Sequence, residues 1–189
     1  MDIVLHSSSG SNSSERVEWV LRYKGIPYTK IDSVDLGLSP YGYVPSLLVD
    51  GTVLAESMAI AEYLEETFPQ EPLFPKNAFD RALVREVCEY VNSTIHQPQS
   101  RSVLSFFDLG LEAAAEKKLR GEWIVCCLRK LRTRLWRQSA FAVGESFTIA
   151  DIFVASIYRK ALSHGVEALP EYDRYMEKLS EVTGFDVHG

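Results

Sequence analysis

The sequence predicts a small α/β domain followed by an all-helical one, and three observations predict it. Short apolar runs, broken by two helical patterns, fill the first third of the chain, whereas helical spacing dominates after a proline-rich stretch at Phe68–Phe79. Charge divides at the same place: residues 1–75 carry 11 acidic and 4 basic groups, net −7, and residues 76–189 carry 15 and 16, net +1. Asp50-Gly51 between two apolar runs marks a tight hairpin, because both central positions of a type I′ turn need positive φ.

Taken in order, Ile3-Val4-Leu5 is long enough for one buried strand, and a polar loop follows from Ser7 to Ser14. Val17, Val20 and Leu21 recur at helical spacing from about Ser13 to Lys24, where Gly25 supplies a stop. Tyr28 to Asp32 reads as a second strand, parallel to the first because a helix joins them. Asp35 to Tyr43, rich in Gly, Ser and Pro, reads as irregular with room for one helical turn. Ser46–Val49 and Val53–Ala55 are the hairpin strands. Pro45 cannot donate to a ladder and belongs at the strand's beginning, with Val44-Pro45 a candidate cis bond. A helix from Ser57 to about Thr67 would bury Ile60, Leu64 and Phe68. The result is a β-α-β-loop-β-β-α unit with a four-stranded mixed sheet, giving a first domain at 1–67, a linker at 68–79 and a helical domain at 80–189.

In the helical part, Asp80 opens a long amphipathic segment running to about Phe107, interrupted at His96-Gln97-Pro98, where proline removes a helix hydrogen bond. Leu109 to Arg137 is a second long helix with Gly121 as a candidate break. Thr148 and Asp151 form a capping-box variant, stapled by Phe147 on Ile152, at the head of a nearly apolar helix. A last helix runs from about Pro170 to Val182.

With 46% hydrophobic and 24% charged residues the composition is that of an ordinary globular protein. No apolar run approaches the roughly 18 residues of a membrane span, and no leader pattern opens the chain, so a soluble cytoplasmic protein is expected. Cys88, Cys126 and Cys127 lack ligand spacing and argue against a disulfide scaffold and structural zinc. Neither half is basic enough to suggest nucleic acid. Arg129, Lys130, Arg132, Arg134 and Arg137 fall all round a helix and read as a solvated surface.

The stretch V-P-S-L-L-V-D-G-T-V-L-A-E-S-M-A-I-A-E-Y-L resembles the glutathione-binding half of the thioredoxin-like domain in cytosolic glutathione transferases. G-E-S-F-T-I-A-D-I is similar to the capped core helix of that family's helical domain. S-N-S-S-E-R-V resembles the serine motif of the zeta and tau classes, whose activating serine lies five residues before the arginine. Counted back from Arg16, that position is Ser11. Asn12 and Ser13 stand where the zeta class has a second serine and a cysteine, and Ser9 and Ser14 are rivals to Ser11.

The resemblance implies glutathione as co-substrate, no metal, and a homodimer. It implies that the Val44 backbone, before Pro45, pairs with the cysteinyl group, and that Glu56 and Ser57 receive the γ-glutamyl group. Gln99, in a segment similar to a zeta-class glutathione contact, is a further candidate, and His96 and Arg101 could meet an acidic substrate. The chemistry needs a hydroxyl donor and no base, because a thiol pKa of about 8.5 lowered by ~2 units makes thiolate the main form for about 2.7 kcal/mol. Addition of that thiolate to an electrophile, or cis–trans isomerisation by reversible addition, is the expected activity. A non-catalytic protein-interaction module on the same fold is the alternative. Two plainer readings stand beside these: the serine loop and Glu56-Ser57 as helix caps, and Tyr90, Phe106 and Phe107 as core, where they would otherwise suit an apolar pocket.

Overall fold

Strand β1 (Ile3–Ser7) runs two residues further than its apolar run and hands over to helix α1 (Asn12–Tyr23) through four residues only. The computed structural model describes residues 1–32, 39–107 and 109–184. The chain forms two compact units, Met1–Leu73 and Phe74–Gly189.

In the first unit, β2 (Thr29–Asp32), β3 (Ser46–Val49), β4 (Thr52–Ala55) and helix α2 (Ser57–Thr67) complete the β-α-β-loop-β-β-α order. The sheet order is β2-β1-β3-β4, with β1 parallel to β2 and antiparallel to β3, and β3 antiparallel to β4. Asp50 and Gly51 both have positive φ, 45° and 86°, as the hairpin requires. The Val44-Pro45 bond is cis. Of the loop expected at Asp35–Tyr43, residues 35–38 lie outside the described residues.

Leu5, Val17, Val20, Leu21, Leu47, Ile60 and Leu64 have no exposed surface and form the core. Phe68 falls beyond α2 and is half-buried, and Ala61 takes its place in the stripe. Lys24, at the end of α1, is buried; its Nζ pairs with Glu65 at 2.6 Å and donates to the carbonyls of Phe68, Gln70 and Glu71 at 2.9, 3.2 and 3.1 Å. Glu65 in turn accepts the Leu73 N–H at 3.1 Å.

Among its described residues, the regular elements of the second unit are helical: α3 (Ala78–Glu89), α4 (Arg101–Phe107), α5 (Ala113–Leu131), α6 (Ile149–Ser163) and α7 (Pro170–Thr183). Helix α3 starts two residues before the expected Asp80, because the Asn77 side chain caps it, accepting from Phe79 N at 2.7 Å and Asp80 N at 3.3 Å. The break expected at Pro98 begins earlier. Residues Tyr90–His96 form a π-helical stretch and Gln97–Gln99 a 3₁₀ turn.

Gly121 does not break α5. A Cβ there would lie 2.5 Å from Val166 Cγ1 and 3.1 Å from His164 Cβ, so the glycine serves close approach. Helix α5 also stops at Leu131, short of the expected Arg137. The next segment is held elsewhere: Trp136, at φ 57°, donates its N–H to Ala142 O at 3.3 Å, and the Ala142 N–H reaches Asp151 Oδ1 at 2.7 Å.

Every residue from Ile149 to Tyr158 is buried, which makes α6 the centre of this unit, packed on α3, α5 and α7. Its capping box closes, with Asp151 Oδ2 accepting from Thr148 N at 2.8 Å. Phe106 and Phe107 correct the core reading: they are 84% and 65% exposed. Among the described residues no helix is long and apolar enough to cross a membrane.

Candidate active site

Strand register gathers the predicted site of the first unit at one end of the sheet. His6 pairs with Ser46, and Ser46 with Ala55, so these three form a row across β1, β3 and β4. One residue beyond that row lie Ser7, Pro45 and Glu56. At a strand spacing of about 4.8 Å, they fall within roughly 10 Å of one another. The β1–α1 loop carrying Ser9 and Ser11 leaves from the same end. Val44 precedes the ladder, which begins at Ser46.

Ser11 is the N-cap of α1. Its Oγ accepts the Ser14 N–H at 3.3 Å and the Ser14 hydroxyl at 3.1 Å. A hydroxyl has two acceptor positions and one proton, so both bonds use lone pairs and leave the Ser11 proton to donate. A hydroxyl that accepts one is also a stronger donor. The rivals are placed differently: Ser14 is buried and spends its proton on Ser11, while Ser9 is exposed with its backbone N–H on Asp32 Oδ1 at 3.0 Å. Ser13 is half-buried on the first turn, and Asn12 is buried with Oδ1 accepting from Arg16 Nη2 at 2.6 Å. Arg16 has no exposed surface. Its spacing of four from Asn12 on the apolar face of α1 is the signal that could have identified it as more than a counting mark.

Glu56 occupies the N-cap position of α2, yet its side chain makes no capping bond. The plain capping reading therefore does not account for this carboxylate. Its backbone holds φ 67° and ψ 117°, a conformation that costs a non-glycine residue about 1–3 kcal/mol. The Glu56 carbonyl accepts the Ile60 N–H at 2.9 Å, and buried Ser57 stands on the first turn of the helix, an end whose unpaired amides favour negative charge in general.

Gln99 belongs to the second unit and is 2% exposed. Its Nε2 donates to His96 O at 3.0 Å, and Arg120 Nε donates to its backbone O at 2.8 Å and its Oε1 at 3.2 Å. Arg120 was not foreseen, since nothing in its local sequence distinguishes it from the other cations of α5. Burial, and then the nearby Arg101, press its guanidinium below its ordinary value. Arg101 itself is exposed at the start of α4, and His96 is half-buried. No cluster of three or more His, Cys, Asp or Glu among the described residues is placed to hold a metal ion.

Comparison with known proteins places this architecture. Residues 5–72 match the model of the glutathione S-transferase N-terminal domain. A maleylacetoacetate isomerase of Dictyostelium discoideum is 31% identical over 185 residues, covering 88% of this chain and 83% of its own. The structure of a bacterial zeta-class maleyl pyruvate isomerase superposes with a TM-score of 0.85 at 27% identity, over 98% of this chain and 94% of the other. A maleylacetoacetate isomerase of Anaeromyxobacter dehalogenans 2CP-1, holding dicarboxyethyl glutathione and citrate in its active site, gives 0.83 at 27%, over 99% and 89%. With a thioredoxin-like first unit, a helical second unit and relatives of this identity over nearly its whole length, the chain belongs to the glutathione S-transferase family, with zeta-class isomerases among its relatives.

Proposed function

We propose that this chain is a glutathione-dependent isomerase or transferase in which Ser11 donates its hydroxyl proton in a hydrogen bond to the glutathione thiolate. One observation carries the reading: both contacts of Ser11 Oγ are accepted ones, which leaves its proton without an acceptor among the described residues. That donor, at the N-terminus of α1, suffices for the ~2.7 kcal/mol that holds the sulfur as thiolate near neutral pH. Asn12 and Ser13 flank it on the first turn. Glu56 meets the ligand's ammonium group, Ser57 and the α2 amides its carboxylate, and the Val44 backbone beside Pro45 its cysteinyl group. Gln99 is a further glutathione contact.

The thiolate sulfur adds to an electrophilic carbon of a small substrate. With a conjugated alkene, the electron pair moves toward the carbonyl, the former double bond rotates, and its return expels the thiolate, so that a cis alkene leaves as trans. The domain assignment follows: 1–67 binds glutathione, 68–79 links, and 80–189 is the helical domain. The family also supports a homodimer in the cytoplasm. A non-catalytic module is not favoured, since the curated relatives are isomerases and transferases.

Calorimetric titration with glutathione tests this, alongside Ser11→Ala and Glu56→Ala. Wild type should bind, Glu56→Ala should not, and Ser11→Ala should bind a thiol whose pKa returns to about 8.5. No binding by wild type at millimolar glutathione overturns the reading, and an unchanged thiol pKa in Ser11→Ala moves the role to another serine.

A further inference from the structure

Arg120 is 7% exposed, and among the described residues its closest carboxylate is Glu116 at 3.8 Å. A buried guanidinium without a close counter-ion is costly, and its short contacts show what it obtains in exchange. Both go to a single residue: Nε reaches the backbone oxygen of Gln99 at 2.8 Å and the side-chain Oε1 at 3.2 Å. The Gln99 amide is thereby fixed in one orientation, Oε1 toward Arg120 and Nε2 toward His96 O at 3.0 Å, which leaves one Nε2 proton and one Oε1 lone pair for a ligand. The restraint matters because Gln99 closes a 3₁₀ turn after a π-helical stretch, where regular helix bonding does not fix the backbone. Next to Arg120, Gly121 leaves no room for a Cβ against Val166 and His164.

We propose that Arg120 is a positioning residue for glutathione binding, acting through Gln99 and not by touching the ligand. This rests on the reading of Gln99 as a glutathione contact.

The test is a double-mutant cycle on the full chain, with glutathione affinity and the pKa of the bound thiol read together. Gln99→Ala and Arg120→Met should each weaken binding about 5- to 10-fold, the scale of one or two hydrogen bonds. The double variant should be no weaker than Gln99→Ala, because contacting residues fail additivity. The bound thiol pKa should not move. Arg120→Lys, which keeps the charge without the planar fork, should fall between wild type and Arg120→Met and covers the case in which the methionine variant folds poorly.

Unchanged affinity in both Arg120 variants, with a lower melting temperature, makes Arg120 a structural cap and overturns the proposal. So do additive losses, and so does a silent Gln99→Ala with wild-type binding intact. Absence of wild-type binding instead removes the functional reading itself.

Discussion

Tyr175 donates its phenolic proton to Asp151 Oδ1 at 2.7 Å, and Asp151 has no exposed surface. Four donors serve this carboxylate: Ala142 N, Thr148 N, Thr148 Oγ1 and Tyr175 Oη. Desolvation nevertheless prevails over them and raises its pKa to about 6. The folded state therefore holds the proton more tightly than the unfolded chain. The associated stability is present below about pH 4 and is lost as pH rises through about 6, amounting to ~3 kcal/mol at most. Urea unfolding from pH 4 to 7 should show wild type losing stability relative to Asp151→Asn as pH rises. A difference independent of pH would contradict this.

His164, at the other end of α6, has the opposite sign. Burial, and then Arg120, Lys160, Lys117 and Arg101, lower its pKa to about 4. Neither ring nitrogen has a hydrogen-bond partner among the described residues. Its contribution is present above about pH 6.5, the unfolded value, and is lost as pH falls through 4. His164→Leu should gain roughly 2 kcal/mol over wild type at pH 5 relative to the same comparison at pH 8. Equal differences at the two pH values would contradict the burial.

Glu56→Gly should separate stability from binding. Glycine adopts φ 67° without a Cβ penalty, so the variant should unfold about 1 kcal/mol later than wild type while losing glutathione affinity. Denaturant melts and calorimetry on one preparation decide it. A less stable variant would show that the Glu56 side chain has structural work.

Gly121→Ala should destabilise. Alanine gains up to about 1 kcal/mol in helix propensity, but a Cβ 3.1 Å from His164 Cβ and 2.5 Å from Val166 Cγ1 overpacks the junction at about 1–3 kcal/mol. Val166 can rotate away; His164 Cβ is tied to its backbone. A rise in melting temperature would refute the close approach.

Ser14→Ala removes the hydroxyl that donates to Ser11 while leaving the backbone donor Ser14 N in place. The bound thiol pKa should rise by a few tenths, far less than in Ser11→Ala, because only the polarisation of the Ser11 proton is lost. A larger effect than that of Ser11→Ala would make Ser14 the activating residue.

Legibility followed the range of the forces. The hairpin at Asp50-Gly51 and the Thr148–Asp151 cap are decided by residues within four positions of one another, and both stood in the sequence. The end of α5 did not. Arg132 to Arg137 have helical composition, but the 132–147 segment folds around a carboxylate at Asp151. The π-helical stretch from Tyr90 has no signal of its own either; Trp123 Nε1, 29 positions away, binds the Thr94 carbonyl inside it at 3.0 Å. At the candidate site, Ser11, Pro45, Glu56 and Ser57 were legible as a pattern. What the pattern could not convey was that the Glu56 side chain is not spent on capping, or that Gln99 is held by an arginine 21 positions downstream.

Lys24 has one more consequence. By binding the carbonyls of Phe68, Gln70 and Glu71, and with Glu65 holding Leu73, one ammonium group decides where the first unit releases the chain. On the far side, Phe74 lies under the guanidinium groups of Arg81 and Arg85, and Asn77 is fixed as a cap. Arg81 Nη1 also donates to the Pro75 carbonyl at 3.4 Å. A junction held this way offers an endoprotease almost no extended strand on which to cut the chain.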